Sequence, residues 1–243
     1  MSLLLASAEL AAPLAAAVVV GLSVPLATAN AAAGEVPGAL VTLEVTAPLR
    51  AGFVPSALPT RFVLLEDGQV FVGGTIRVTA GRLDKGEVKA IERRLDQVRK
   101  LWGLGGEIAF DGAATPRHRL QARKSKLDLV ATGDPRAAPP ALQPVAALIG
   151  DLSSFHHPSL RPYEPASLAL EVREAPLPGG CRAWTLPVPL AEALAGPTTL
   201  AASDAYEWPT GGVPAAVCEG DRRFVVTLRA LLPGERPGSG TPP

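Results

Sequence analysis

Apolar and polar residues alternate over several short stretches of the chain, and this pattern predicts strands. Val41 to Thr46 alternates in this way, and apolar runs at 61–65 and 69–72 flank the tripeptide Glu66-Asp67-Gly68. An Asp-Gly pair between two such runs favours a tight hairpin, because glycine supplies the positive φ that the turn needs. With a further strand predicted over Thr75 to Thr79, this region is expected to form an antiparallel meander.

The hydrophobic period changes to that of a helix after Asp84. Asp84 is suited to cap the first turn, and Glu87, three residues later, completes a capping-box pattern. One buried face is predicted by apolar residues at helical spacing, namely Val88, Ile91, Leu95, Val98 and Leu101. The opposite face is basic, and we interpret it as solvated rather than as a docking surface; it carries Lys89, Arg93, Arg94 and Lys100. Gly103, Gly105 and Gly106 are expected to end the helix in a cap and turn.

Two more strands and a second helix are predicted in the middle of the chain. The strands cover His118 to Ala122 and Leu127 to Ala131. Pro139 and Pro140 are suited to begin the helix, although Pro144 within its first turns favours a later start. Its apolar positions are Leu142, Val145, Leu148, Ile149, Leu152 and Phe155.

The segment from Arg161 to Pro165 is rich in proline and gives the best internal boundary. Beyond it, strands are predicted over Ser167 to Arg173 and Phe224 to Leu231. A short strand at Trp184 to Leu186 and a brief helix at Leu190 to Leu194 lie between them.

The predicted fold class is therefore α+β, with antiparallel sheets packed by amphipathic helices. Residues 34–160 are expected to form one sheet-and-helix unit, and residues 161–233 a smaller β-rich unit. A single domain with an internal loop at the boundary is the alternative. Residues 234–243 are predicted by composition to be a disordered tail.

The first 33 residues resemble an export leader. They contain no Lys or Arg, are dominated by Ala, Leu and Val, and end in the small-residue sites Ala27-Thr28-Ala29 and Ala29-Asn30-Ala31. This pattern predicts a signal peptide that is cleaved, although the usual positive n-region is absent. A retained membrane anchor is the alternative, and it is disfavoured because Pro13 and Pro25 interrupt the apolar stretch.

The charge composition argues against a nucleic-acid partner. Lys plus Arg and Asp plus Glu both total 23, so the chain has no overall positive field. The most basic stretch is interpreted as a possible contact surface for an anionic polymer or partner, with a solvated hairpin as the favoured alternative. It contains Arg117, Arg119, Arg123, Lys124 and Lys126.

The chain has two cysteines, Cys181 and Cys218. In the oxidising compartment that a leader implies, an even pair in one region predicts a disulfide. A metal half-site and a reactive thiol are the alternatives, and the metal site is disfavoured by the lack of CxxC spacing and of a nearby histidine.

Three segments of the chain resemble a family of uncharacterised exported bacterial proteins and lipoproteins. Arg61 to Val70, RFVLLEDGQV, is similar to the family's "tlYGDGtvi" and precedes the capped helix; Tyr163 to Leu170, YEPASLAL, is similar to "YrPe.lalyv". Arg229 to Glu235, RALLPGE, is similar to the closing "RPLLPdE". The resemblance covers Thr60 to Glu235 and implies an α+β arrangement and an exported setting, but no catalytic residue. Leu65 and Glu66 stand where the family has Tyr and Gly, and no lipobox cysteine is present.

No catalytic motif is present, and no cofactor or metal is predicted. His156 and His157 are adjacent, but a metal would need further ligands, and a structural or surface role is favoured. Ser153 and Ser154 lie nearby without a G-x-S-x-G elbow. Acid/base candidates are Asp84, Glu87, Asp111 and Asp128, of which the first two already have capping roles. Buried packing is the simplest account of the tryptophans Trp102, Trp184 and Trp208.

The resulting expectation is an exported, non-enzymatic binding or interaction module of the cell envelope or extracellular space. Its partner would be an unknown protein or envelope ligand, and a membrane only if the leader is retained. The alternatives are an envelope hydrolase whose catalytic residues converge only in the fold, and a membrane-anchored structural component.

Overall fold

The structure is a computed structural model that describes residues 36–46, 60–74, 77–102, 105–110, 116–175, 179–209 and 214–237. The predicted leader at 1–33 lies outside the described residues. The described part of the chain forms one sheet of eight strands and one of four, together with three α-helices. The predicted α+β class, with antiparallel sheets and packed helices, is confirmed.

The larger sheet contains the first eight strands of the described ranges. They are β1 (Ala39–Thr46), β2 (Thr60–Leu65), β3 (Gln69–Gly73), β4 (Val78–Arg82), β5 (Gly105–Ala109), β6 (Arg117–Ala122), β7 (Leu127–Thr132) and β8 (Arg161–Pro162). Their order across the sheet is β5-β7-β6-β1-β2-β3-β4-β8. All neighbours are antiparallel except β5 and β7, which are parallel.

The predicted hairpin between β2 and β3 is confirmed, and its glycine has the expected backbone. Gly68 has φ +85°, and its N–H donates to the carbonyl of Leu65 at 3.1 Å. The Asp67 carboxylate accepts the N–H of Gln69 at 3.0 Å, and this side-chain hydrogen bond stabilises the turn.

Substitution of Gly68 tests how tightly this turn is packed. A Cβ there would lie 2.7 Å from the carbonyl oxygen of Leu83, whereas a Cβ at Gly38, which also has positive φ, would meet nothing within 4 Å. Both Gly68→Ala and Gly38→Ala incur the backbone penalty, and the first adds an overpacking cost of about 1–3 kcal/mol. We expect this difference in urea unfolding followed by circular dichroism. Equal losses would mean that the Leu83 backbone moves away freely.

Two predictions in the first sheet differ from the structure, the first in its bounds and the second in kind. The fourth strand covers Val78–Arg82 instead of Thr75 to Thr79. Residues 75 and 76 lie outside the described residues. Gly105 and Gly106 do not form a cap and turn but begin β5. A Cβ on Gly105 would lie 2.5 Å from the Asp128 carbonyl, so glycine permits this close approach of β5 to β7.

The first helix, α1 (Lys85–Trp102), has the capping box that the sequence predicts. The Asp84 carboxylate accepts the N–H of Glu87 at 2.9 Å, and the Glu87 carboxylate accepts the N–H of Asp84 at 2.7 Å. Leu95 and Val98 are buried as predicted, but Leu101, in the last turn of the helix, is 58% exposed. The residue expected to end the helix, Gly103, lies outside the described residues.

The second helix, α2 (Gln143–Ser153), starts later than Pro140, as Pro144 indicated. A short 3-10 turn at Pro140–Leu142 precedes it. Both helices cover one face of the large sheet, where they bury Leu43, Phe62, Leu64, Leu120, Leu129, Leu95, Val145, Leu148 and Ile149. No helix in the described ranges is long and apolar enough to cross a membrane.

The smaller sheet contains β9 (Ser167–Glu174), β10 (Thr198–Ala201), β11 (Ala215–Glu219) and β12 (Arg222–Ala230) in the order β10-β9-β12-β11. The brief helix α3 (Leu190–Ala195) is confirmed. The short strand predicted at Trp184 to Leu186 is not formed. Instead, Trp184 packs edge-on against Trp208 at 5.9 Å and donates its indole N–H to Val188, so its segment folds over the core as a loop.

The disulfide between Cys181 and Cys218 is confirmed, with the two Cα atoms 5.6 Å apart. It joins the loop after β9 to the edge strand β11. Arg182 extends the attachment through an isolated bridge to Val217. The loop is therefore fixed to the sheet by covalent and backbone bonds together.

The tail predicted from Gly234 begins too early. Leu232 packs with Val63 and Phe71 on the face of the large sheet opposite the helices, and Glu235 is buried. The Tyr163 hydroxyl donates to the Leu231 carbonyl at 3.0 Å on the same side. Composition alone misses this because the buried partners of the segment lie on strands far away in sequence.

Candidate binding site on the outer face of the large sheet

The large sheet has an outer face, which we define as the face turned away from α1 and α2. Along β1, Leu43 points to the helices, so Thr42 and Glu44 lie on the outer face. On β2 the same alternation places Phe62 with the helices and Arg61 on the outer face. Polar side chains thus stand side by side on the central strands of the sheet.

The strand register aligns these side chains in two rows. Glu44 is opposite Arg61 of β2 and Arg119 of β6, so a carboxylate lies between two guanidinium groups. The adjacent row contains Thr42 opposite Gln121, and Gln121 opposite Asp128 of β7. Directly opposed side chains on one face interact, with Cβ atoms about 4.5–5.5 Å apart.

Arg61 is bonded to the C-terminal segment rather than to Glu44. Its Nη1 donates to both carboxylate oxygens of Glu235, at 2.9 and 3.1 Å, and its Nη2 donates to the Ala230 carbonyl at 2.9 Å. Arg229 Nη1 donates to the same carboxylate at 2.6 Å, and the Leu232 N–H donates to it at 2.8 Å. Because the Glu235 side chain is 0% exposed, these bonds form a buried cluster that joins the two sheets.

Arg119 is also bonded to another carboxylate. Its Nε and Nη2 donate to Asp128 at 3.4 and 3.1 Å, and the Gln121 amide donates to the same group at 3.1 Å. Glu44 has no hydrogen bond or ion pair within the described part of the chain. It is consequently a half-buried carboxylate among arginines whose hydrogen bonds go elsewhere.

Glu44 lies on the wall of a pocket of about 650 Å³. This volume is in the range of small-molecule sites. The polar side chains that line the pocket are those of Thr42, Glu44, Arg61, Arg119, Gln121, Arg123, Lys126 and Asp128. The apolar residues that line it include Val36, Leu40, Val63 and Leu127.

The environment shifts the pKa values of the two carboxylates of this pocket, Glu44 and Asp128, in opposite directions. Burial raises the pKa of Glu44, and the nearby charges of Arg61, Arg119 and Arg229 only partly oppose that effect. The hydrogen bond from Arg119 lowers the pKa of Asp128. A desolvated carboxylate on a pocket wall is a recognised sign of a functional site.

The basic stretch that the sequence singles out is mostly neutralised by other elements. Lys124 pairs with Glu92 of α1 at 2.7 Å, Arg123 pairs with Glu66 of the hairpin, and Arg117 lies 4.0 Å from Glu107 of β5. Arg119 pairs with Asp128 as described above. Lys126 makes no ion pair in the described ranges, and it lines the pocket.

The histidine pair lies at a different place, next to the start of α1. His157 Nε2 is 3.0 Å from a Glu87 oxygen, and its Nδ1 is 2.7 Å from Ser159 Oγ. This arrangement resembles a catalytic triad in composition. However, Ser159 Oγ also accepts the Arg82 N–H at 3.0 Å and lies 3.1 Å from the Arg82 carbonyl.

We interpret this group as a structural clasp. The Ser159 N–H donates to Nδ1 of His157 at 3.2 Å, as in a local turn, and the hydroxyl is occupied by the backbone of β4. The clasp connects β4 to the capping box of α1. The neighbouring serines are unavailable as well, because Ser153 and Ser154 donate to the carbonyls of Ile149 and Gly150.

The other candidate residues lie apart from the pocket. His118 is buried and bonded through Nε2 to the Gly133 carbonyl at 3.1 Å, and burial lowers its pKa. Trp208 packs in the hydrophobic core of the smaller sheet. Asp111 and the Trp102 side chain lie outside the described residues. Within the described ranges, no three His, Cys, Asp or Glu residues are placed to hold a metal ion.

Comparison with family models, curated proteins and solved structures finds no match to this chain. The resemblance to exported bacterial proteins therefore stays a prediction. Three of its quoted residues, Arg61, Arg229 and Glu235, form the buried cluster.

Proposed function

We propose that the protein is an exported, non-enzymatic binding module that takes its ligand in the outer-face pocket. The observation that carries the proposal is Glu44, a carboxylate with a raised pKa and no hydrogen-bond partner among the described residues. Desolvating a carboxylate without compensating bonds is unfavourable. A ligand that donates hydrogen bonds to Glu44 would supply that compensation.

Binding is favoured over catalysis by the state of the neighbouring groups. Asp128, the other carboxylate that lines the pocket, is held by Arg119 and Gln121, so it is poorly placed as a second acid or base. The Thr42 hydroxyl donates to the Gln121 amide oxygen at 3.4 Å rather than to a carboxylate. These contacts leave Glu44 as a recognition group.

The exported setting rests on two features that agree with each other. The leader pattern of the first 33 residues predicts secretion, and the disulfide is of a kind that persists in oxidising compartments. We infer that the ligand is encountered in the cell envelope or outside the cell.

Replacement of Glu44 by glutamine tests whether this carboxylate serves binding or stability. The folded state holds the Glu44 proton more tightly than the unfolded chain does, so wild-type stability falls as pH rises from about 4.5 through the raised pKa. Glu44→Gln cannot lose a proton. We expect it to be more stable than wild type at neutral pH, with the difference vanishing below pH 4.5 in urea unfolding curves.

The matched control is Glu174→Gln in β9, where the pKa is lowered by the hydrogen bond from Arg222. That variant removes an exposed ion pair, so its effect should be small and should have the opposite pH trend. A loss of stability in Glu44→Gln at neutral pH would show that Glu44 chiefly compensates the arginines, and the proposed binding site would then be wrong.

A further inference from the structure

The charges around Glu44 restrict the kind of ligand that the pocket accepts. Arg61 and Arg119 stand directly opposite Glu44 and line the pocket, so an ammonium group placed there would lie near two guanidinium groups. A phosphate or carboxylate placed beside Glu44 would be repelled by that carboxylate, and Asp128 lines the same pocket together with Arg119, Arg123 and Lys126. A neutral ligand avoids both repulsions.

The open hydrogen-bonding positions are complementary to hydroxyl groups. When ionised, the Glu44 carboxylate has two acceptor oxygens and no donor. Arg119 Nη1 donates to no group within the described ranges. These groups stand on directly opposed positions of β1 and β6. A hydroxyl group both donates and accepts, so adjacent hydroxyls can donate to Glu44 and accept from Arg119.

We propose that the pocket binds a neutral polyhydroxylated compound, a sugar or polyol, through adjacent hydroxyl groups held between Glu44 and Arg119. This proposal rests on the proposed binding function and names its ligand class. The volume of about 650 Å³ is large enough for a small saccharide.

The test is saturation-transfer NMR on the folded chain with a stated set of probes. Glucose, N-acetylglucosamine, cellobiose and inositol are the neutral hydroxylated probes, and diglycine and inorganic phosphate are the charged ones. We expect saturable binding of at least one hydroxylated probe and none of the charged probes. Glu44→Ala should weaken that binding more than tenfold, whereas Glu174→Ala should leave it unchanged.

The possible failures are distinguishable from one another. Binding of diglycine or phosphate that depends on Glu44 would overturn the ligand class and leave the binding function standing. Binding of a sugar that is unaffected by Glu44→Ala would place the site elsewhere and overturn this proposal. If no probe binds and Glu44→Gln destabilises the fold, both proposals are wrong. Should Glu44→Ala fail to fold, Glu44→Gln provides the same comparison, with an expected weakening of severalfold because the amide keeps one acceptor.

Discussion

Replacing Glu235 with alanine is expected to lower the free energy of unfolding by about 3–5 kcal/mol, because the substitution leaves two buried arginines without their carboxylate. Arg61 and Arg229 are 5% and 6% exposed, so water cannot take over the lost bonds. The Leu232 N–H loses its acceptor as well. Urea unfolding followed by circular dichroism measures the loss.

Two controls separate charge from chain length in this experiment. The triple variant Arg61→Met, Arg229→Met, Glu235→Leu removes the charges together and is expected to lose much less stability than Glu235→Ala alone. A chain ending at Pro237 keeps Glu235 and should have wild-type stability. A cost below about 1 kcal/mol for Glu235→Ala would be typical of an exposed pair and would contradict the burial of the cluster.

Removing the disulfide is the second change with a large expected effect. The Cys181→Ala, Cys218→Ala double variant opens a loop with a sequence separation of 37, for which chain entropy gives about 4 kcal/mol. The loss should concentrate in the smaller sheet, because the bond holds the Cys181 loop to β11. Hydrogen exchange should therefore increase in β11 and β12 while β2 and β6 keep their protection.

The wild-type protein from its native host provides the control for bond formation. Intact mass with and without thiol alkylation should show both cysteines protected and a chain that starts near Asn30 or Ala32. Two free thiols on a full-length chain would contradict the predicted export. In that case the double variant should also match the stability of the native, reduced protein.

Local features of this fold could be predicted because adjacent residues determine them. The Asp67-Gly68 turn and the Asp84 and Glu87 capping box depend on contacts within a few positions, and both are confirmed. The strand β5 was not predicted, since its residues Gly105–Ala109 show no clear alternation and it pairs in parallel with a strand about 20 residues away. Long-range pairing of that kind leaves little trace in a local pattern.

The candidate site could be predicted only in part. Glu44 occupies a polar position of an alternating strand. When one face of a sheet is covered, such positions are expected to face solvent. Burial raises the pKa of Glu44, and the charges of Arg229 and Glu235, which the sequence assigns to other parts of the chain, also act on it. The basic stretch was found, but its carboxylate partners Glu66 and Glu92 come from other elements, so the sequence overstated its free charge.

The bond between Arg61 and Glu235 has a consequence for synthesis of the protein. The two residues are 174 positions apart, so at 5–20 residues per second the ribosome adds Glu235 about 9–35 s after Arg61. During that interval Val63 and Phe71 of the nascent chain lack the contact with Leu232 that they make in the folded protein. Newly made chains are therefore expected to depend on holding chaperones until the last residues emerge.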